Sequence, residues 1–134
     1  MLDTFTRQFI KTAGAEILVR SAGVGEPLVL LHGYPQTGVM WSRVASQLAK
    51  DFFVVCPDLR GYGDSSKPDA GLNHEMYSKR AMAQDIIDVM QNLGFNEFFV
   101  AGHDRGGRVA HRLALDHPKS IKRICVMDIV PTLH

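Results

Sequence analysis

Four short runs of apolar residues constrain the fold more than anything else in the chain. They lie at 27–31 (PLVLL), 52–56 (FFVVC), 98–101 (FFVA) and 121–130, the last built around ICVM. A strand with one wet face alternates apolar and polar residues, whereas a short continuous apolar run marks a strand buried on both faces. Helical spacing fills the intervals. Trp41, Val44, Ala45 and Leu48 predict a helix over 40–50, and Met82, Ile86, Val89 and Leu93 mark one side of a helix over 77–93. A third helix is predicted over 105–116, stopped near Pro118. Two further strands, 5–11 and 15–21, precede the first run and meet at a turn over 12–14. Strands alternating with helices imply a mostly parallel sheet with right-handed crossovers and helices on both faces. Chemistry in such sheets gathers at the carboxyl ends of the strands. Three loops are therefore of interest: 32–37, 102–107 and 128–132.

The remaining composition excludes several classes. The 134 residues suffice for one domain, with no repeat or linker. A net charge of +1 leaves no footprint for nucleic acid and no patch for a membrane surface. No apolar run reaches the roughly 18 residues of a membrane span. The opening MLDTFTRQFIKT lacks a signal peptide's apolar core and cleavage site, so a cytoplasmic protein is expected. Cys56 and Cys125 sit far apart inside apolar runs, and both are expected as buried free thiols rather than zinc ligands. Gly23-Val24-Gly25 precedes a strand rather than a helix, which weighs against a dinucleotide site. No cofactor or metal is expected.

The loop at 102–107 holds the strongest chemical signal. Gly102-His103-Asp104-Arg105-Gly106 follows a predicted strand and opens a predicted helix, the setting of a nucleophile elbow. Asp104 occupies the position that usually carries serine. It reads either as a helix N-cap, a common use of Asp, or as a nucleophile, which the flanking glycines and preceding strand favour. Arg105 and Arg108 both sit in the helix's first turn, where a cation opposes the macrodipole at about 0.3–1 kcal/mol. Three residues apart, they share one face and read as solvated charges or as a fork for a substrate carboxylate, the second being favoured. Arg112 reads as a surface residue near Asp116. His32-Gly33-Tyr34-Pro35 closes the first buried strand, and a backbone N–H near Tyr34 could join that of Arg105 in an oxyanion hole. Asp128 ends the fourth run and could orient a histidine or cap the next loop. Asp58 and Asp64 read as structural turn residues. None of the six histidines offers a general base by position: His103 lies inside the elbow, and His32, His74, His111, His117 and the terminal His134 lie elsewhere.

Taken together, His32-Gly33-Tyr34-Pro35, residues 58–65 (DLRGYGDS) and residues 102–108 (GHDRGGR) resemble the α/β-hydrolase superfamily. An aspartate at the elbow is similar to dehalogenases and epoxide hydrolases. Arg105, Arg108 and the stretch 128–132 (DIVPT) resemble haloacetate (fluoroacetate) dehalogenases in particular. The resemblance implies the α/β-hydrolase fold and a two-step hydrolysis of a haloacetate through an ester on Asp104. Arg105 and Arg108 would hold the substrate carboxylate, and N–H groups at Tyr34 and Arg105 the oxyanion. Asp128 matches the acid that orients a catalytic histidine. Its place argues against epoxide hydrolases, whose acid usually comes one strand later. A haloacid and water would be the partners, with a homodimer conceivable for the complete enzyme. The family's cap, later strands and late histidine have no counterpart here. Residues 1–134 are thus expected to form the N-terminal part of one hydrolase core, with an exposed apolar last strand and no turnover of its own.

Overall fold

The computed structural model describes residues 2–130. Six strands form one sheet: β1 (Thr6–Lys11), β2 (Glu16–Ala22), β3 (Glu26–Leu31), β4 (Phe52–Pro57), β5 (Phe98–His103) and β6 (Ile121–Met127), in the order β1-β2-β4-β3-β5-β6. The β1–β2 hairpin is antiparallel and joins β4 antiparallel, whereas β4, β3, β5 and β6 run parallel. Parallel neighbours need long crossovers, and helices α1 (Ser42–Leu48), α2 (Lys79–Asn92) and α3 (Arg105–Asp116) lie between the parallel strands in sequence.

Helices cover both faces. On one, Ile86, Val89 and Met90 of α2 and Val109 and Leu113 of α3 close over Val29, Leu31, Val55 and Val100. On the other, Trp41 and Ala45 pack with Leu2 and Phe5 against Leu28, Leu30, Val54 and Cys56. Each fully buried Leu or Phe contributes about 1.5–3 kcal/mol. Burial also drives the Cys56 thiol up to about 12, so it behaves as an inert hydrophobe.

Two helices differ in detail from the periodic pattern. The expected helix over 40–50 is a 3-10 turn (Gly38–Trp41) running into α1, and a second 3-10 turn (Glu75–Tyr77) precedes α2. Ser78 starts α2 cleanly, because its hydroxyl accepts the Ala81 N–H at 3.1 Å.

The last strand departs further. Its apolar run reads as a buried strand, but β6 has five exposed residues in succession, 122–126, including Ile124 and Val126, as the expected exposed last strand of an N-terminal part requires. Cys125 is exposed, contrary to the expected buried thiol. The reason is position: β6 ends the strand order, bonded to β5 on one side only among the described residues. An apolar run signals that a strand tolerates burial, not that a neighbour is present. Pro131, Thr132 and His134 lie outside the described residues.

Polar groups buried under the loops set where the strand ends point. Asp58 accepts N–H groups from Gly38 (2.8 Å) and Asp64 (3.1 Å) and pairs with Arg20 (3.1 Å), the structural part assigned to it from sequence. His32 Nε2 accepts the Leu59 N–H at 2.9 Å, so its proton sits on Nδ1 facing the Gly33 carbonyl. Burial keeps this imidazole below its ordinary pKa and hence neutral. The ring thus staples the end of β3 to the loop after β4. Beside it, Arg60 and Asp85 form an ion pair at 2.7 Å, each side chain only 3% exposed. Thr12 donates to the same carboxylate at 2.6 Å, tying the β1–β2 turn to α2.

Candidate active site

The segment joining β5 to α3 is forced into one shape by close backbone approach. A Cβ on Gly102 would lie within 2.5 Å of the Gly106 carbonyl carbon and nearer still to its oxygen. A Cβ on Gly106 would lie 2.5 Å from the His32 carbonyl oxygen and would also meet that of Leu31. The end of β3, the end of β5 and the start of α3 can therefore converge only if both positions lack side chains. Between the glycines, Asp104 takes φ 52° and ψ −118°, a conformation that costs a non-glycine residue about 1–3 kcal/mol. The strain is held in place by hydrogen bonds: Asp104 N–H donates to the Met127 carbonyl (3.0 Å), and the Asp104 carbonyl accepts from Gly107 (3.0 Å) and Arg108 (3.2 Å).

Although Asp104 occupies the N-cap position of α3, its side chain makes no capping bond. Instead Oδ2 accepts the Tyr34 N–H across the gap from the loop after β3, at 3.0 Å. Gly33 makes room, since a Cβ there would lie 2.7 Å from Asp104 Cβ. The backbone N–H groups of Tyr34 and Arg105 hold the Asp104 carboxyl below its ordinary value, against the opposing effect of burial, with His103 and the Arg105 charge assisting. Both N–H groups expected from sequence to form an oxyanion hole thus act on the Asp104 carboxylate, that of Tyr34 at Oδ2.

Cations surround this carboxylate. Lys79, Asp104, Arg105 and Arg108 line an open cavity of about 510 Å³. The expected pairing of Arg105 with Arg108 on one face is present. Arg105 is oriented by two tyrosines: its guanidinium stacks 4.6 Å from the Tyr34 ring centroid, and Nη1 donates to the Tyr62 hydroxyl at 3.1 Å. The Tyr62 ring in turn meets His32 and Tyr34 edge-on, at 5.1 and 6.4 Å. Lys79 comes from the first turn of α2. Its ammonium is held below its ordinary pKa by burial first, then by Arg105 and Arg108, with Asp104 opposing.

Asp128 follows β6 with φ 56°, and its Oδ2 accepts from His103 Nε2 at 2.9 Å. Residue 103 pairs in register with Met127, which brings the imidazole beside the next residue of the facing strand. With Nε2–H committed to the carboxylate, Nδ1 is buried without a hydrogen-bond partner. Arg112 lies by Asp116 as expected, at 2.9 Å from Nε to Oδ2.

Sequence reasoning placed Asp104, Arg105 and Tyr34 together but missed Lys79, Tyr62 and the contact between His103 and Asp128. Lys79 and Tyr62 come from elements that no local spacing connects to the elbow. The His103 contact required the register of β5 on β6. Among the described residues no group of three or more His, Cys, Asp or Glu side chains could hold a metal ion.

Residues 26–134 match the model of the family described as alpha/beta hydrolase fold. A fluoroacetate dehalogenase of Burkholderia sp is 50% identical over 132 residues, 98% of this chain and 43% of the relative. A soluble epoxide hydrolase of Corynebacterium sp. (strain C12) is 44% identical over 84% of the chain and 38% of the relative. Among solved structures, a Nostoc sp PCC 7120 protein described as an alpha/beta hydrolase superposes with a TM-score of 0.96 at 55% identity, covering 98% of this chain and 45% of the other. The chain thus spans less than half the length of these similar proteins.

Proposed function

Because the chain belongs to the alpha/beta hydrolase fold family, we propose that it carries the nucleophile and the acid-binding side of a hydrolase that cleaves the carbon–halogen bond of haloacetates. The observation that carries this reading is the Asp104 carboxylate, held at Oδ2 by the Tyr34 N–H (3.0 Å) in a cavity that Lys79, Arg105 and Arg108 line with it. In the proposed first step Arg105 and Arg108 bind the substrate carboxylate. Oδ1 of Asp104 attacks the adjacent saturated carbon, and the halide leaves with the bonding electron pair. A carboxylate suits this task, because the product is an ester whose hydrolysis regenerates it.

Water then attacks the ester carbonyl carbon of Asp104. The oxyanion forms on Oδ2, which the Tyr34 N–H already meets at 3.0 Å, so that donor need not reorganise, and the Arg105 N–H, which also bonds the carboxylate, is its partner in the proposed oxyanion hole. Collapse releases the hydroxy acid. Deprotonating the water is the part of a histidine oriented by Asp128 in the family that the sequence resembles, and among the described residues Asp128 meets His103. We assign residues 1–134 to the N-terminal part of a hydrolase core, consistent with the length it shares with its relatives. The ester-forming half-reaction is the one that this chain's residues supply.

An epoxide hydrolase is the second reading, favoured by the identity to the Corynebacterium enzyme. The guanidinium pair argues for the haloacid, since a neutral epoxide has no use for a carboxylate fork. Incubating the chain with fluoroacetate, chloroacetate or styrene oxide, then mapping peptides by mass spectrometry, separates the two. A haloacetate ester on Asp104 with stoichiometric halide supports the proposal. An Asp104 adduct from the epoxide and none from either haloacid would replace it with the second reading.

A further inference from the structure

Lys79 sits where a cation is locally unfavourable. It is the first residue of α2, directly after the Ser78 cap, so its charge opposes the helix field, and it is pressed toward Arg105 and Arg108 besides. Its neighbour Arg80 pairs with Asp116 at 3.0 Å, a carboxylate it shares with Arg112, whereas no salt bridge joins Lys79 to a carboxylate among the described residues. The α2 and α3 first turns thus bring Lys79 to the cavity that Asp104, Arg105 and Arg108 also line. Arg105 is already partly engaged, by the Tyr34 ring and the Tyr62 hydroxyl. A substrate anion entering this open cavity would meet the Lys79 ammonium.

We propose that Lys79 is a third cation of the substrate site, a specificity-determining residue that favours attack by Asp104 on carboxylate-bearing substrates over neutral ones of the same shape. The proposal rests on the reading of Asp104 as the nucleophile. A neutral substrate gains nothing from the Lys79 charge, whereas the carboxylate of an acid bound beside Asp104 is attracted by it. Lys79 offers a compact charge on a flexible stem, adaptable to an acid that the planar guanidinium groups have already oriented.

Bromoacetate and bromoacetamide test this on the 134-residue chain, because they share the reacting carbon and leaving group and differ in charge. In either case an Asp104 oxygen bonds to the methylene carbon, the carbon–bromine bond breaks and bromide departs with the electron pair. The rate of Asp104 modification is read by peptide mapping. Lys79→Met should slow bromoacetate about fivefold, the weight of one partly exposed ion pair, and change bromoacetamide by less than about twofold. Lys79→Arg should restore the bromoacetate rate. Arg80→Met, which removes the same charge one residue away, should leave both rates in place. Equal effects of Lys79→Met on the two reagents, no effect on either, or an equal effect of Arg80→Met would overturn the proposal. Lys79→Gln replaces the Met variant if circular dichroism shows that variant unfolded. Wild-type chain alkylated at the exposed Cys125 but not at Asp104 would instead overturn the nucleophile reading itself.

Discussion

Replacing Gly102 by alanine separates two accounts of why the elbow needs glycine. Gly102 does not adopt a positive φ. On conformational grounds alone, alanine should therefore be harmless or stabilise by about 0.4–1 kcal/mol through the unfolded state. Contact geometry says the opposite. The new methyl would lie 2.5 Å from the Gly106 carbonyl carbon and 2.7 Å from the Gly107 nitrogen, where ordinary contact begins at 3.4 Å. Both atoms are backbone of α3's first turn, so no side chain can swing aside and the helix must retreat by close to an ångström. Overpacking of a rigid site costs typically 1–3 kcal/mol, and the upper end applies here, about 3 kcal/mol. Gly94→Ala is the matched control. It has φ 94° and nothing within 4 Å of the added carbon, so it carries backbone strain alone, about 1–2 kcal/mol. In urea, followed by circular dichroism, Gly102→Ala should lower the midpoint by on the order of 1–3 M and Gly94→Ala by less. Retreat of α3 also pulls Asp104 from the Tyr34 N–H, so ester formation by bromoacetate should slow in the first variant only. A Gly102→Ala chain at least as stable as Gly94→Ala, with unchanged Asp104 reactivity, would refute the close-approach argument.

Two more outcomes follow from the same packing. Asp85→Ala strands the buried Arg60 guanidinium and should cost about 3–5 kcal/mol, whereas Arg60→Met with Asp85→Leu should recover most of that loss; thermal melts of the single and double variants measure both. Asp104 is held below the ordinary carboxyl value of 3.8 by N–H donors. Its ionised form, and the stability gained from those donors, should be fully present above that unfolded value and be lost as pH falls through the lower folded value. The bromoacetate rate at Asp104 should accordingly hold steady as pH drops through 3.8 and decline only below it; a half-maximal rate above 3.8 would contradict the assigned hydrogen bonds.

Much of this architecture was readable because its determinants are local. Unbroken apolar runs located the β3, β4 and β5 strands, and helical spacing located α2, since burial of a strand or helix face leaves a period in the sequence, while the stop near Pro118 bounded α3. The elbow was readable for the same reason: Gly102, Asp104 and Gly106 act within five residues, and the strand before and helix after them are themselves local signals. The pairing of Arg105 with Arg108 needed only the pitch of one helix.

Other features depended on distances that local spacing does not encode. That β6 is exposed follows from its place at the end of the strand order, not from its composition. The buried Arg60–Asp85 pair joins residues that look like surface charges until the loop after β4 folds onto α2. The same fold brings Lys79 to the elbow across α2 and α3, and Tyr62 to Arg105. Sequence alone determined that an aspartate stands at the bend with cations in the next turn, because those residues are neighbours along the chain. Tertiary structure decided what that aspartate faces. Its φ of 52° aims the side chain away from its own helix, and the β3–β5 pairing delivers the Tyr34 N–H that receives it.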